Sequence, residues 1–352
     1  MRCLHSTPPI HATLLRRRKL SDNHTEYCGV GSDGTAKAFE NRPVLKKDFF
    51  HGGPLVMKRR EFLMLGPAAY LAAVANNSES SRLSVEGYIF QQYAERRHKK
   101  LADVLNEIFP MTRQAGFKNI ELNQGFFTPD VRSRVMDLVE ANGLRMPSVY
   151  VGGPMHREDL AERTISQALK IAAVCKAHGC RAVVNNPDPK LNNKPKTDAE
   201  LAVQVKMLDM LGRELAGRGF QLWTHAHAPQ MADNAREWRY NLHHTDPRYV
   251  WICLDVDWVY QGGQDPMALL REAGPRVASL HLRNSRNKVW LESFADGDID
   301  YRQIASYIER EHLEPLLVVE LAYMKQTVVT RSLEEDLRLS RIYAERIFGL
   351  QT

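Results

Sequence analysis

The sequence predicts an α/β fold, a single (β/α)8 TIM barrel, on three observations. From residue 87 onward, short apolar runs of strand length alternate with stretches of helical period, and the pair recurs eight times. No shift of composition and no linker-like stretch breaks that span, so although 352 residues would ordinarily suggest two domains, one barrel accounts for it. No Gly-rich phosphate turn follows the first strand, which counts against a doubly wound open sheet.

A polar stretch, residues 76–86, reads as the linker into the barrel. Residues 87–91 are expected as the first strand. The first helix follows over 99–115, where Leu101, Val104, Leu105 and Ile108 recur at helical spacing. A second strand is expected at 119–122 and a second helix at 129–142, capped by Thr128 and stopped by Gly143. Strand three covers 144–150, and helix three runs over 157–178 to Gly179. Strand four, 181–184, enters the Asn- and Pro-rich loop 185–189, which has no regular period. Helix four spans 198–219, strand five 220–224, helix five 234–244, strand six 249–254, helix six 266–273 and strand seven 276–282. A long loop, 283–298, leads to helix seven at 301–311, strand eight at 316–320 and helix eight at 332–348.

Ligand-type residues gather at the ends of these strands. The fifth apolar run is too short for a core helix and closes on His225-Ala226-His227. Residues two apart on a strand share a face, so both imidazoles can reach one pocket. A pair of hydrogen-bonded core histidines would leave the same local pattern. The signal sharpens because Asp255, His281 and Glu320 close strands six, seven and eight, and in a parallel barrel all these ends open on one mouth. Two imidazoles and two carboxylates suit one divalent ion such as Mn²⁺, Zn²⁺, Co²⁺ or Mg²⁺. Without a cation or a proton the two carboxylates would repel. Metal-free acid/base catalysis by the same groups is the alternative.

The net charge of +6 raises nucleic acid as a partner until its location is read. Residues 1–75 carry 12 of the 48 Lys and Arg and 6 of the 42 Asp and Glu, leaving 36 of each in the rest of the chain. The barrel is therefore neutral, and the electrostatic case for nucleic acid falls away. The basic leader contains Met57-Lys58-Arg59-Arg60-Glu61-Phe62-Leu63, an apolar segment to Val74 and the small-residue site Ala73-Val74-Ala75. Residues 57–75 thus read as a secretory signal peptide, too short to span a membrane, and the paired arginines resemble a twin-arginine signal. Export to the periplasm is expected, with residues 1–56 an upstream mistranslation or a disordered extension. Of five cysteines, Cys175, Cys180 and Cys253 fall within the barrel at spacings that fit neither a zinc ribbon nor a redox pair, and read as buried structural thiols.

Several stretches in order, HAH after strand five, LDVDWVYQGGQDP around strand six, LHLRN at strand seven, ADGDIDY at 295–301 and VVEL at strand eight, resemble the xylose isomerase-like barrels of the sugar phosphate isomerase/epimerase superfamily. The resemblance covers roughly residues 87–348 and implies a TIM barrel with one metal ion held by His225, Asp255, His281 and Glu320. It places His227 beside the metal, to bind a substrate hydroxyl or to move a proton. It further implies Glu121, closing strand two, as a carboxylate presented to substrate and Arg283, the basic residue after HL, as a catalytic residue of the active site. Asp257 and Trp258 keep the LDxxW shape and are expected to bind substrate, with Trp258 either a platform for a sugar ring or a packing residue under the rim. Where many relatives carry HNHxxEF, Ala226 and Gln230 stand here, so roles given to that Glu do not transfer. The implied activity is metal-dependent isomerisation or epimerisation of a carbohydrate or polyol through proton abstraction beside a carbonyl. The alternatives are a lyase or dehydratase for oxidised sugars, a carbohydrate-binding barrel without turnover, and, against the charge balance, a DNA-repair endonuclease.

Overall fold

Along each strand, side chains alternate between the barrel interior and the shell under the helices. In the computed structural model, which describes residues 82–350, this parity sorts the core into two apolar groups. The larger holds residues such as Val85, Ile120, Val149, Leu222, Leu280 and Val319, packed between strands and helices. The smaller consists of Ala182, Val184, Trp223, Cys253, Leu316 and Val318, which fill the barrel itself.

Eight parallel strands close the barrel: β1 (Leu83–Glu86), β2 (Ile120–Asn123), β3 (Ser148–Tyr150), β4 (Ala182–Asn185), β5 (Gln221–Thr224), β6 (Val250–Asp255), β7 (Val277–Leu282) and β10 (Leu316–Val319). The order around the wall is β1-β10-β7-β6-β5-β4-β3-β2. The predicted single TIM barrel is what forms. A small antiparallel hairpin, β8 (Ser285–Arg286) with β9 (Val289–Trp290), stands in the long loop after β7. The helices are α1 (Tyr88–Arg96), α2 (Leu101–Gln114), α3 (Arg132–Ala141), α4 (Glu158–Cys175), α5 (Asp198–Ala216), α6 (Ala232–His244), α7 (Val256–Gln261), α8 (Pro266–Ala273), α9 (Tyr301–Arg310) and α10 (Leu333–Phe348). None of them is long and apolar enough to cross a membrane.

The first strand is where expectation and structure part. The run at 87–91 is not a strand but the start of α1, and Ile89, Phe90 and Ala94 bury one helical face. The strand lies just before it, in the segment read as linker, where Leu83 and Val85 join the outer core and Ser84 and Glu86 take the inward parity. Strand three is also shorter than its apolar run, because Pro147 has no N–H to give to a neighbour. The expectations for residues 1–56 and for the signal at 57–75 lie outside the described residues. Cys175, Cys180 and Cys253 are buried thiols, as expected.

The interior group forms an apolar plug beneath the polar strand ends. Trp223 is its largest member, 2% exposed, with its indole N–H donated to Gln221 at 2.9 Å. Trp223→Ala should cost about 3–5 kcal/mol in urea unfolding, the usual range for a buried aromatic. A loss below about 1.5 kcal/mol, the level of a volume-conserving core swap, would mean that Trp223 does not hold the barrel together.

Candidate metal centre

The site is assembled from the C-terminal ends of the strands. His225 follows β5 on the inward parity of Trp223, and His227 continues the same face, with the two rings 4.9 Å apart and nearly perpendicular. Asp255 ends β6 in register with His281 of β7, and its Oδ1 accepts the Trp258 N–H at 2.8 Å, capping α7. Glu320 follows β10. One donor atom from each of His225, Asp255, His281 and Glu320 lies within 4.8 Å of every other, and all four residues are buried. His225 Nδ1 stands 3.5 Å from Asn186 Oδ1, while its Nε2 is buried without a hydrogen bond, 3.6 Å from Asp255 Oδ2. A buried imidazole nitrogen facing carboxylates in a mixed nitrogen–oxygen set is a donor arrangement that fits a divalent cation.

Arg283 sits within the same cluster. Its guanidinium bridges Asp255 Oδ2 and Glu320 Oε1, both at 2.9 Å, and lies over the rings of Trp290 and Trp258 at 4.3 and 5.2 Å. Glu320 Oε2 accepts from His281 Nδ1 at 2.6 Å. Burial pushes Asp255 up to about 7, with the Glu320 charge adding to it and Arg283 opposing. Burial acts on Glu320 in the same sense, but Arg283 and His281 outweigh it and hold that carboxylate well below its usual range. For His281 burial favours the neutral ring, yet Cys253 and Glu121 beside it prevail and raise it well above the usual imidazole value. His225 falls to about 3, through burial first and then the neighbouring His281. His227 is lowered well below its ordinary value by burial and by His225. Both strand-five imidazoles are therefore neutral at pH 7.

Residues 109–342, more than half of the 352, match the family of the xylose isomerase-like TIM barrel. The chain belongs to that family. An inosose dehydratase of Salmonella agona is 23% identical over a match 233 positions long that covers 58% of this chain and 77% of that protein. The structure of a sugar phosphate isomerase/epimerase from Parabacteroides distasonis superposes with a TM-score of 0.59 at 16% identity, covering 78% of this chain and 96% of that one. A xylose isomerase-like TIM barrel protein from Mycobacterium smegmatis, solved in complex with magnesium, gives 0.55 at 13% identity over 70% of this chain and 89% of that one. At these identities the two structures bear on the fold.

Within this xylose isomerase-like barrel the residues singled out from the sequence separate into groups. His225, Asp255, His281 and Glu320 come together, and His227 stands beside them, half-buried, with Nε2 3.4 Å from the Tyr150 hydroxyl and its ring 5.1 Å from that of Trp258. Trp258 is itself half-buried and packs edge-on against Trp290. Glu121 is not presented at the mouth. It is 0% exposed, accepts from the Ser148 hydroxyl and lies 2.9 Å from His281 Nε2, so it steadies that ring from behind. Arg283, expected in an active-site role, is 1% exposed and taken up by the two carboxylates it joins. Asp257 lies two residues beyond Asp255 but inside α7, where the strand's parity no longer holds. Its carboxylate accepts from Ser285 Oγ at 2.7 Å and Trp290 Nε1 at 3.0 Å, tying the hairpin loop to α7 instead of facing a substrate.

Three features of this barrel were not read from the sequence. Glu86 closes β1 on the inward parity, buried, accepting from the Tyr88 N–H and from the Asn123 amide at 3.5 Å. The alternation in Leu83-Ser84-Val85-Glu86 was the available signal. Tyr150, ending β3, packs edge-on against His225 at 5.3 Å. Gln230 accepts the His227 N–H at 2.6 Å and donates to Pro187 O at 2.9 Å. Below it the buried Lys196 pairs with Glu237 at 2.7 Å. This network sets the path of the chain through His227, and nothing local to residues 196 or 237 announces it.

Proposed function

We propose that this chain is a divalent-metal-dependent enzyme that removes a proton from the carbon next to a carbonyl in a sugar or polyol. The observation that carries the reading is the buried four-donor set with a neutral, half-buried imidazole beside it. The magnesium bound by the Mycobacterium smegmatis protein supports a hard divalent ion here. When bound, such an ion supplies Lewis-acid stabilisation for negative charge developing on the substrate oxygens. The chain's own side chains do the rest. His227 accepts the proton, because burial and the neighbouring His225 keep its ring neutral at pH 7. Arg283 fixes the Asp255 and Glu320 carboxylates relative to one another, and Trp258 offers an apolar face to a sugar ring.

Where the proton returns decides the product: isomerisation or epimerisation if it returns to carbon, loss of water if a hydroxyl leaves from the β carbon. The second outcome draws support from a specific observation, since the matched relative from Salmonella agona is an inosose dehydratase. The two readings share one first step, so one experiment tests both. Metal-loaded enzyme incubated in D₂O with ketoses, inososes and keto-glycosides should place deuterium beside the carbonyl of at least one substrate, read by NMR. The product then separates isomerase from lyase. Neither exchange nor product across the panel, with metal shown to be bound, would refute the reading and leave a binding barrel.

A further inference from the structure

We propose that Glu86 is a second proton-transfer residue, acting on the substrate from the side of the barrel opposite His227. The proposal rests on the reading of the site given above and adds a residue to it. Its first support is topological. Three strands separate β1 from β5 in either direction around the closed wall, so residues at their ends face each other across the axis. Register is the second. Glu86 pairs with Glu121 on one side, and on the other it follows the Val85–Val319 pair, which sets it beside Glu320 and at the level of the metal donors.

The surroundings of the carboxyl supply the third support. It is 3% exposed, and its hydrogen-bond donors, the Tyr88 N–H and the Asn123 amide, are neutral. A buried carboxyl whose hydrogen-bond donors carry no charge thus stands across the axis from the His227 imidazole, an arrangement in which one group takes a proton and the other gives one.

The step balances as follows. His227 takes the proton from the carbon next to the carbonyl, and the C–H electron pair passes into the enediolate. Glu86 then gives its proton from the far side. Delivered to the same carbon, it inverts that centre; delivered to a hydroxyl on the β carbon, it leaves with that oxygen as water while the C–O electron pair departs with it. In both cases Glu86 ends as a carboxylate and His227 as an imidazolium, and exchange with solvent resets the pair.

The test uses the metal-loaded full chain in D₂O with a substrate that wild type turns over. Glu86→Gln should still wash deuterium into the position beside the carbonyl, while net conversion falls by about 10² to 10⁴, the size of a general acid contribution. Metal content and unfolding temperature should stay at wild-type values. Glu86→Asp, which keeps the carboxyl, should convert faster than Glu86→Gln, and it replaces that variant if the amide does not fold. Unchanged conversion in Glu86→Gln, or loss of exchange and conversion together, would overturn the proposal. If wild type shows neither, the proposed function itself fails, a result distinct from failure of Glu86 alone.

Discussion

His227→Ala should retain near wild-type metal content and lose turnover by about 10² to 10⁴, the usual contribution of a general base. The expectation follows from where the ring sits. His227 shares its face of the strand with His225 but lies one step farther out, half-buried at the mouth, and it does not belong to the four-donor set. Its Nε2 meets the Tyr150 hydroxyl at 3.4 Å, and the Trp258 ring lies tilted beside it at 5.1 Å, so the ring is positioned without being enclosed. His225→Ala should behave differently. Removing that buried Nε2 takes one of four donors, and metal affinity should fall by at least the 10 to 100-fold seen when even an outer-shell partner is lost. Elemental analysis and steady-state kinetics on the same preparations separate the two histidines. Equal metal loss in both variants would mean that the ligand has been assigned to the wrong ring, and unchanged turnover in His227→Ala would return it to a hydrogen-bonded loop residue.

The barrel and the donor set were legible because both are written in short-range periodicity. Period-two alternation put His225, Asp255, His281 and Glu320 at strand ends on the inward face, and closure of the barrel brought them together. The same rule was available for Leu83-Ser84-Val85-Glu86 but was masked by the stronger apolar run Tyr88-Ile89-Phe90, whose helical continuation at Tyr93 and Ala94 decides its state. Missing that strand meant missing Glu86. Asp257 and Arg283 show a second limit. Sequence places a polar residue near a mouth but not the direction of its side chain, and here the competition was won by Ser285 and Trp290 for one and by two carboxylates for the other. The Lys196–Glu237–Gln230 support of the His227 loop joins segments far apart in sequence, and no single-chain pattern encodes it.

Metal affinity should rise steeply with pH between 5 and 7, because the donors must give up protons to bind. Asp255 is pushed up to about 7 by burial, and His281 is raised well above its usual value. Each proton displaced makes the apparent affinity change about tenfold per pH unit while the group is protonated. Above pH 7 the Asp255 contribution flattens and the remaining slope belongs to His281. His225, lowered to about 3, contributes none in this range. The sign for stability runs the same way. An unfolded Asp titrates near about 3.9, so the stabilising effect of a proton on folded Asp255 is full below about pH 4 and lost as pH rises through 7. Metal-free protein therefore loses stability from this group over that window, whereas metal binding strengthens across it. Thermal unfolding with and without saturating Mn²⁺ should show a gap that widens from pH 5 to pH 8. Calorimetric titration at pH 6 in two buffers of different ionisation enthalpy should report proton release on binding. A gap that is constant or narrows, or binding without proton release, would show that Asp255 and His281 are not the groups the ion engages.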